Sequence, residues 1–248
     1  MRKLLASFLL VIALAGNAWA GGSLDVVAAN SDRIDMGDVT IFDGLSAVSF
    51  SLWLNQDSLS ANKGIICKWG NTTAEQCVLL QTATASDEIQ FDAQSGGVYP
   101  ESISTGADMT NGVWYNIIYT YNVSSGARQF YINGTAVTTS AVNNISNLID
   151  ATSSLQFGFE TDESRAPVDG KYAHFSIWSS VLTASDAVSL ANGVRPELVA
   201  TSSLVGYWPF WDSATQIDLS ANGNDGTLTT PDESAEGPAV FYSTLGGQ

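Results

Sequence analysis

The sequence predicts an all-β sandwich with one short helix near residues 184–191. Apolar and polar residues alternate in many short segments. Gly, Asn and Ser punctuate the gaps between those segments, and a single stretch carries helix signals.

Val48, Phe50, Leu52 and Leu54 alternate with Ser49, Ser51 and Trp53, a period of two that gives a strand two unlike faces. Ile117, Tyr119 and Tyr121 repeat the pattern against Asn116, Ile118 and Thr120. Ser124-Ser125-Gly126 then turns the chain into a strand from Arg128 to Ile132. Asn133-Gly134 predicts a tight hairpin, because both residues accept positive φ, and it leads into the β-branched run from Thr135 to Thr139. Leu155, Phe157 and Phe159 form a further alternating strand, and Tyr172 to Trp178 another. In the helix, Thr183 is placed as the N-cap, Asp186 completes a capping box and Asn192-Gly193 ends the element.

Arg2 and Lys3 precede the apolar run from Leu4 to Ala15, and Ala18-Trp19-Ala20 sets small residues around a cleavage point. Residues 1–20 therefore read as a signal peptide cut near Ala20, and the mature protein as secreted, extracellular or periplasmic. The run is too short to span a bilayer and no later stretch is apolar enough, so no membrane span is expected. Residues 21–229 read as one domain, and 230–248, rich in Pro, Gly and acids, as an exposed tail or linker.

The chain carries a formal charge of −16, and losing Arg2 and Lys3 with the signal takes it to about −18. Such a surface repels phosphate backbones, which excludes nucleic acid as a partner. Cys67 and Cys77 are the only cysteines and flank a turn-like stretch. In an oxidising compartment this spacing predicts a disulfide between them, stabilising by roughly 2–3 kcal/mol. One histidine and two thiols are too few for a zinc site.

The blocks "DRIDMGD" (32–38), "VSFSLWLN" (48–55), "VWYNIIYTYNVSSGARQFYINGTAV" (113–137), "LQFGF" (155–159) and "VDGKYAHFSIWSSVLTASDAVSLANG" (168–193) follow in an order that resembles the concanavalin A-like, laminin-G-like domains. The segment "LVGYWPFWDSATQIDLSANGNDGTL" (204–228) also resembles a laminin-G-like block, one that opens the domain in many members and here stands near the end. The resemblance implies a two-sheet antiparallel jelly roll, a fold that serves lectins, hydrolases, lyases and structural domains alike.

The catalytic patterns of that superfamily are incomplete here. Glucanase-type members place paired acids on one strand as Glu-x-Asp-x-x-Glu. The nearest stretch, Glu160 to Arg165, has Arg165 where the last acid belongs. Lyase-type members use Gln-x-His, whereas the only histidine, His174, lacks that Gln and reads as a packed or edge residue. Relatives often hold a structural Ca²⁺ with an Asp pair in the strand that here carries Ala173-His174. Asp218, Ser220, Asn222 and Asn224 offer oxygens at alternate positions for a possible structural Ca²⁺, although Thr229 stands where a bidentate acid would complete the loop; Asx turns explain the same residues.

Aromatic rings are candidate sugar platforms. Trp69 and Tyr99 sit near loops without an evident core partner, and Trp211 interrupts a Trp-Pro-Phe-Asp pattern; Trp53 and Tyr131 share the polar faces of their strands, but the resembled family places aromatics there too, so these two read first as scaffold packing. These features favour a secreted, non-catalytic module whose partner is a glycan or polysaccharide. The alternatives are a structural or adhesion subunit of a cell-surface layer, appendage or virus-like particle contacting protein neighbours, and a diverged glycoside hydrolase.

Overall fold

A computed structural model describes residues 22–85, 87–149, 151–158, 166–211, 215–220, 222–229, 232–238 and 240. The signal-peptide region and the Glu160–Arg165 stretch lie outside the described residues. In chain order the strands are β1 (Ser23–Val26), β2 (Arg33–Asp35), β3 (Ala47–Gln56), β4 (Gly64–Lys68), β5 (Val78–Thr82) and β6 (Ile89–Ala93). They continue with β7 (Glu101–Thr105), β8 (Trp114–Asn122), β9 (Arg128–Ile132), β10 (Thr135–Val142), β11 (Gln156–Phe157) and β12 (Gly170–Trp178). The helix α1 (Ala184–Ala191) follows, and then β13 (Leu204–Trp208), β14 (Thr215–Gln216), β15 (Gly226–Thr229) and β16 (Asp232–Ser234). Among the described residues no helix is long and apolar enough to cross a membrane.

The strands pair antiparallel into a jelly-roll sandwich. The first sheet runs β9-β8-β3-β12-β1-β16, with β13 against the second half of β12. The second runs β14-β15-β2-β11-β4-β5-β6-β7. Strand β10 belongs to both: Thr135 to Val137 pair with β9, and Thr138 to Val142 pair with β7. The predicted hairpin is present, with Asn133 at φ 49° and Gly134 at φ 75°. A side chain at Gly134 would also press on Val188 of α1 at 3.0 Å, so that glycine lets the helix lie close over the hairpin.

Between the sheets, Val48, Phe50, Leu52 and Leu54 meet Ile66, Leu80 and Phe91 from the opposite layer. Ring pairs such as Phe91–Tyr119 at 4.3 Å and Phe157–Phe175 at 4.5 Å fill the centre. Each fully buried large apolar side chain contributes roughly 1.5–3 kcal/mol of transfer free energy.

Strand β12 breaks its own alternation. Tyr172 and Phe175, three residues apart, both enter the core because a bulge inserts an extra residue. His174 occupies that bulge at φ 52°.

Two expectations are corrected. Cys67 and Cys77 are not joined. Cys67 lies opposite Leu79, leaving Cys77 two register steps away, and diagonal neighbours at about 7–8 Å are past disulfide reach. Cys67 packs with Trp69 and Leu79, while Cys77 sits in the main core. The region from 230 is not simply a tail, since β16 pairs with β1 and the Ser23 hydroxyl donates to Glu236 O at 2.6 Å. Phe159 falls outside the described residues, so the strand expected around Phe157 is seen as Gln156–Phe157.

Helix α1 keeps its capping box, with Thr183 Oγ1 accepting from Asp186 N at 3.2 Å and Asp186 Oδ2 accepting from Thr183 N at 2.8 Å. Its buried residues Ala187 and Leu190 cover Ile118, Tyr131 and Trp178 on the outer face of the first sheet.

Candidate functional site

Strand register builds one polar face on the outside of the second sheet. Gln156, Cys67, Leu79, Asp92, Glu101 and Val142 form a single row across six strands. Gln81, Gln90, Ile103 and Ser140 form the next. Amides orient the carboxylates: Gln81 Nε2 donates to Asp92 Oδ2 at 2.8 Å, and Gln90 Nε2 donates to Asp92 Oδ1 at 3.0 Å and to Glu101 Oε2 at 3.2 Å. The result is a ladder of fixed acceptors flanked by amides.

At one end of this face, Trp69 and Tyr99 come together with ring centroids 6.3 Å apart and planes at 52°. Trp69 is nearly buried and roofs Cys67 and Leu79, whereas Tyr99 is 42% exposed. The Tyr99 hydroxyl donates to Gln76 Oε1 at 3.1 Å, Gln76 Nε2 donates to Gly70 O at 3.1 Å, and Asn143 Nδ2 donates to Tyr99 O at 3.0 Å. Val98 and Val142 extend the apolar margin into solvent.

The loop between β4 and β5 is braced from below. Buried Lys68 donates from Nζ to Asp38 Oδ1 at 2.6 Å and to Ser153 O at 2.7 Å. The Ser153 hydroxyl donates to Glu75 O at 2.6 Å, and Glu75 Oε2 accepts from Thr72 N and Oγ1 at 3.0 Å each. Gly70, Asn71, Glu75 and Ser153 line a pocket of about 180 Å³, smaller than a drug-sized cavity and open beside the aromatic pair. Ring, amide and carboxylate groups thus converge on a surface that offers an apolar platform with polar edges.

The structure brings together Trp69 and Tyr99 alone of the five aromatic candidates. Tyr131 is buried under α1 with Ile118 and Leu190, so it is scaffold and not a platform. Trp53 is half-buried on the outer face of the first sheet, opposite Ala173 and Asn116. Trp211 is exposed and stands edge-on to His174 at 6.5 Å. Asp92, Glu101, Gln81 and Gln90 were missed, although Gln90, Asp92 and Glu101 alternate with Ile89, Phe91 and Ser102 in "IQFDA" and "ESIST".

Among the expected calcium ligands, Asp218 is committed elsewhere. Its Oδ1 accepts from Tyr207 N at 3.0 Å and Ser220 N at 2.9 Å, and its Oδ2 accepts from Asn224 N and Nδ2 at 3.1 Å each. Asn222 Nδ2 donates to Ser220 Oγ at 3.0 Å. The carboxylate staples the 218–225 loop to β13, and a hard cation would have to displace N–H donors that already satisfy it. Among the described residues no group of three His, Cys, Asp or Glu side chains is arranged to hold a metal.

The sequence profile of the concanavalin A-like lectin/glucanases superfamily matches residues 28–187. No curated protein sequence matches the chain. Among solved structures, a candidate carbohydrate-binding protein from Bacteroides ovatus superposes with a TM-score of 0.68 at 16% identity, covering 89% of this chain and 61% of its own. The K499G mutant of NanB sialidase from Streptococcus pneumoniae gives a TM-score of 0.53 at 13% identity, over 68% of this chain and 27% of the sialidase. The chain thus spans less than two thirds of either protein, and at these identities the likeness is one of fold.

Proposed function

Because the chain belongs to the concanavalin A-like lectin/glucanase superfamily, we propose that it is a secreted, non-catalytic module that binds glycans or surface polymers through the outer face of its second sheet. Tyr99 carries this reading, 42% exposed and braced against buried Trp69 with ring centroids 6.3 Å apart. A pyranose presents a C–H face that packs on an aromatic ring while its equatorial hydroxyls point sideways toward polar edges. Here those edges are Gln76, which already fixes the tyrosine hydroxyl, and the Asp92–Gln90–Glu101 ladder on the same face. The fold shared with the B. ovatus protein described as carbohydrate-binding supports the same reading.

A glycan array probed with residues 21–248 tests it. Binding to at least one polysaccharide, weakened about tenfold or more in Tyr99→Ala through loss of a stacking contact, is the expected result. A blank array together with concentration-dependent assembly on size exclusion would replace it with a structural or adhesion subunit. Release of reducing ends would replace it with a hydrolase.

A further inference from the structure

Strands β6 and β7 carry their pairing past their own ends. The register that sets Asp92 opposite Glu101 continues through Ala93 N donating to Pro100 O at 3.1 Å and through the Ser95–Val98 bridge. Gly96 and Gly97, at φ 60° and 80°, close the hairpin as a two-residue turn. Tyr99 therefore stands in line with Glu101, two residues before it and on the same side. The alternate position, Ser102, turns inward and meets buried Tyr119 at 2.8 Å. About 7 Å of extended chain separates Tyr99 from Glu101. An exposed ring and two half-buried carboxylates thus share one face, within the span of a pyranose and its substituents.

Asp92 and Glu101 are like charges set directly opposite each other, an arrangement that destabilises a sheet. Gln90 Nε2 donates to both and Gln81 Nε2 to Asp92, so amides orient the two charges without neutralising them. Gln81 is 2% exposed and aimed into the pair, and its Oε1 has no donor, so the surplus at this place is of acceptors. That oxygen is covered; the groups a ligand meets are the carboxylates and the ring. Arg128 approaches β7 from its inner side, lies over Tyr121 at 4.6 Å and donates to the backbone oxygens of Glu101 and Val142. Lys68 is fully buried and paired with Asp38.

This inventory selects among sugars. Ionised carboxylates only accept, so they take donors from the edge of a ring stacked on Tyr99. A hydroxyl brings one donor, whereas an ammonium brings three and a charge that relieves the Asp92–Glu101 repulsion. A uronate or sulfate on the ligand would instead be pressed against two like charges, a built-in penalty against acidic glycans.

We propose that the Tyr99 face selects amino-bearing pyranoses, as in glucosamine polymers, with Glu101 and Asp92 receiving the ammonium group and rejecting acidic sugars. The proposal rests on the reading of this face as a glycan platform and specifies its ligand class.

Residues 21–248 are titrated calorimetrically with a chitosan tetramer, its fully N-acetylated counterpart, cellotetraose and tetragalacturonate. Mildly acidic buffer keeps the amines protonated and the carboxylates ionised. The chitosan tetramer should bind about tenfold tighter than the N-acetylated one, the worth of one charge-assisted hydrogen bond, and tetragalacturonate most weakly. Glu101→Gln and Asp92→Asn should each remove most of that preference, and Tyr99→Ala should weaken every sugar that binds. Glu233→Gln removes the same charge from an exposed position on β16, in the other sheet, and should leave the preference intact. Equal affinity for the amino and N-acetyl tetramers, with binding still lost in Tyr99→Ala, overturns the selectivity and leaves the glycan platform standing. A preference that survives both carboxylate variants, or that falls equally in Glu233→Gln, also overturns it. Failure of all four sugars to bind does so too, and the wider glycan array then decides the platform itself.

Discussion

Tyr207 and His174 face each other across β13 and β12, hydroxyl to Nδ1 at 2.9 Å, with the two rings nearly parallel. Burial, assisted by Arg195, pushes the imidazole pKa down to about 4 from its ordinary 6.5. A depressed pKa means that the unfolded chain binds the proton first. The stabilising contribution is therefore whole above pH 6.5 and is lost as pH falls toward 4, by roughly 3 kcal/mol across that window. An NMR titration should find His174 neutral down to pH 5, and an imidazole titrating near 6.5 would refute the burial.

Asp25 makes the opposite contribution. Burial raises its pKa against the lowering effect of Lys171, and Asp57, Asp232 and Asp32 raise it further. Asp232 is its direct cross-strand partner, an unfavourable like-charge pairing. A raised carboxyl favours the fold at low pH and disfavours it once ionised. Asp25→Asn should thus raise the melting temperature at pH 7, with the gain shrinking as pH drops into the carboxylate range and in high salt. Thermal melts at pH 7 and pH 4 check both signs.

Asp218 accepts from four N–H donors that tie its loop to β13. Asp218→Ala strands four donors around a nearly buried site and should cost on the order of 3 kcal/mol. That corresponds to about 6–12 °C in a domain of this size. The loss should be the same in EDTA and in millimolar Ca²⁺, and Ca²⁺ should move the parent's melt by less than about 2 °C at matched ionic strength. A larger Ca²⁺-specific shift that Asp218→Ala abolishes would restore a cation to the loop.

For Cys67 and Cys77, packed in different clusters, a reducing agent should leave the melting temperature unchanged. Non-reducing peptide mapping should recover no peptide linking 67 to 77. Finding that link would mean that β4 and β5 pair in another register.

The sandwich, the Asn133-Gly134 hairpin and the capped helix were legible because each depends on neighbours within a few residues: alternation, a turn pair and a capping box. Trp69 and Tyr99 were also visible as aromatic residues lacking a local reason to be buried. That they meet was decided by the pairing of β4 to β7, which brings positions thirty residues apart onto one face. Tyr131 shows the converse, since its strand pattern fits a platform and scaffold packing alike, and α1 lying over it makes it scaffold. The bulge at His174 inverted the phase of β12 and thereby decided which side chains face outward, and register alone placed Cys67 opposite Leu79 instead of Cys77. Local sequence determines which segments become strands and where they turn. Which faces are covered, and which residues become neighbours, depends on contacts between distant segments that no local period encodes.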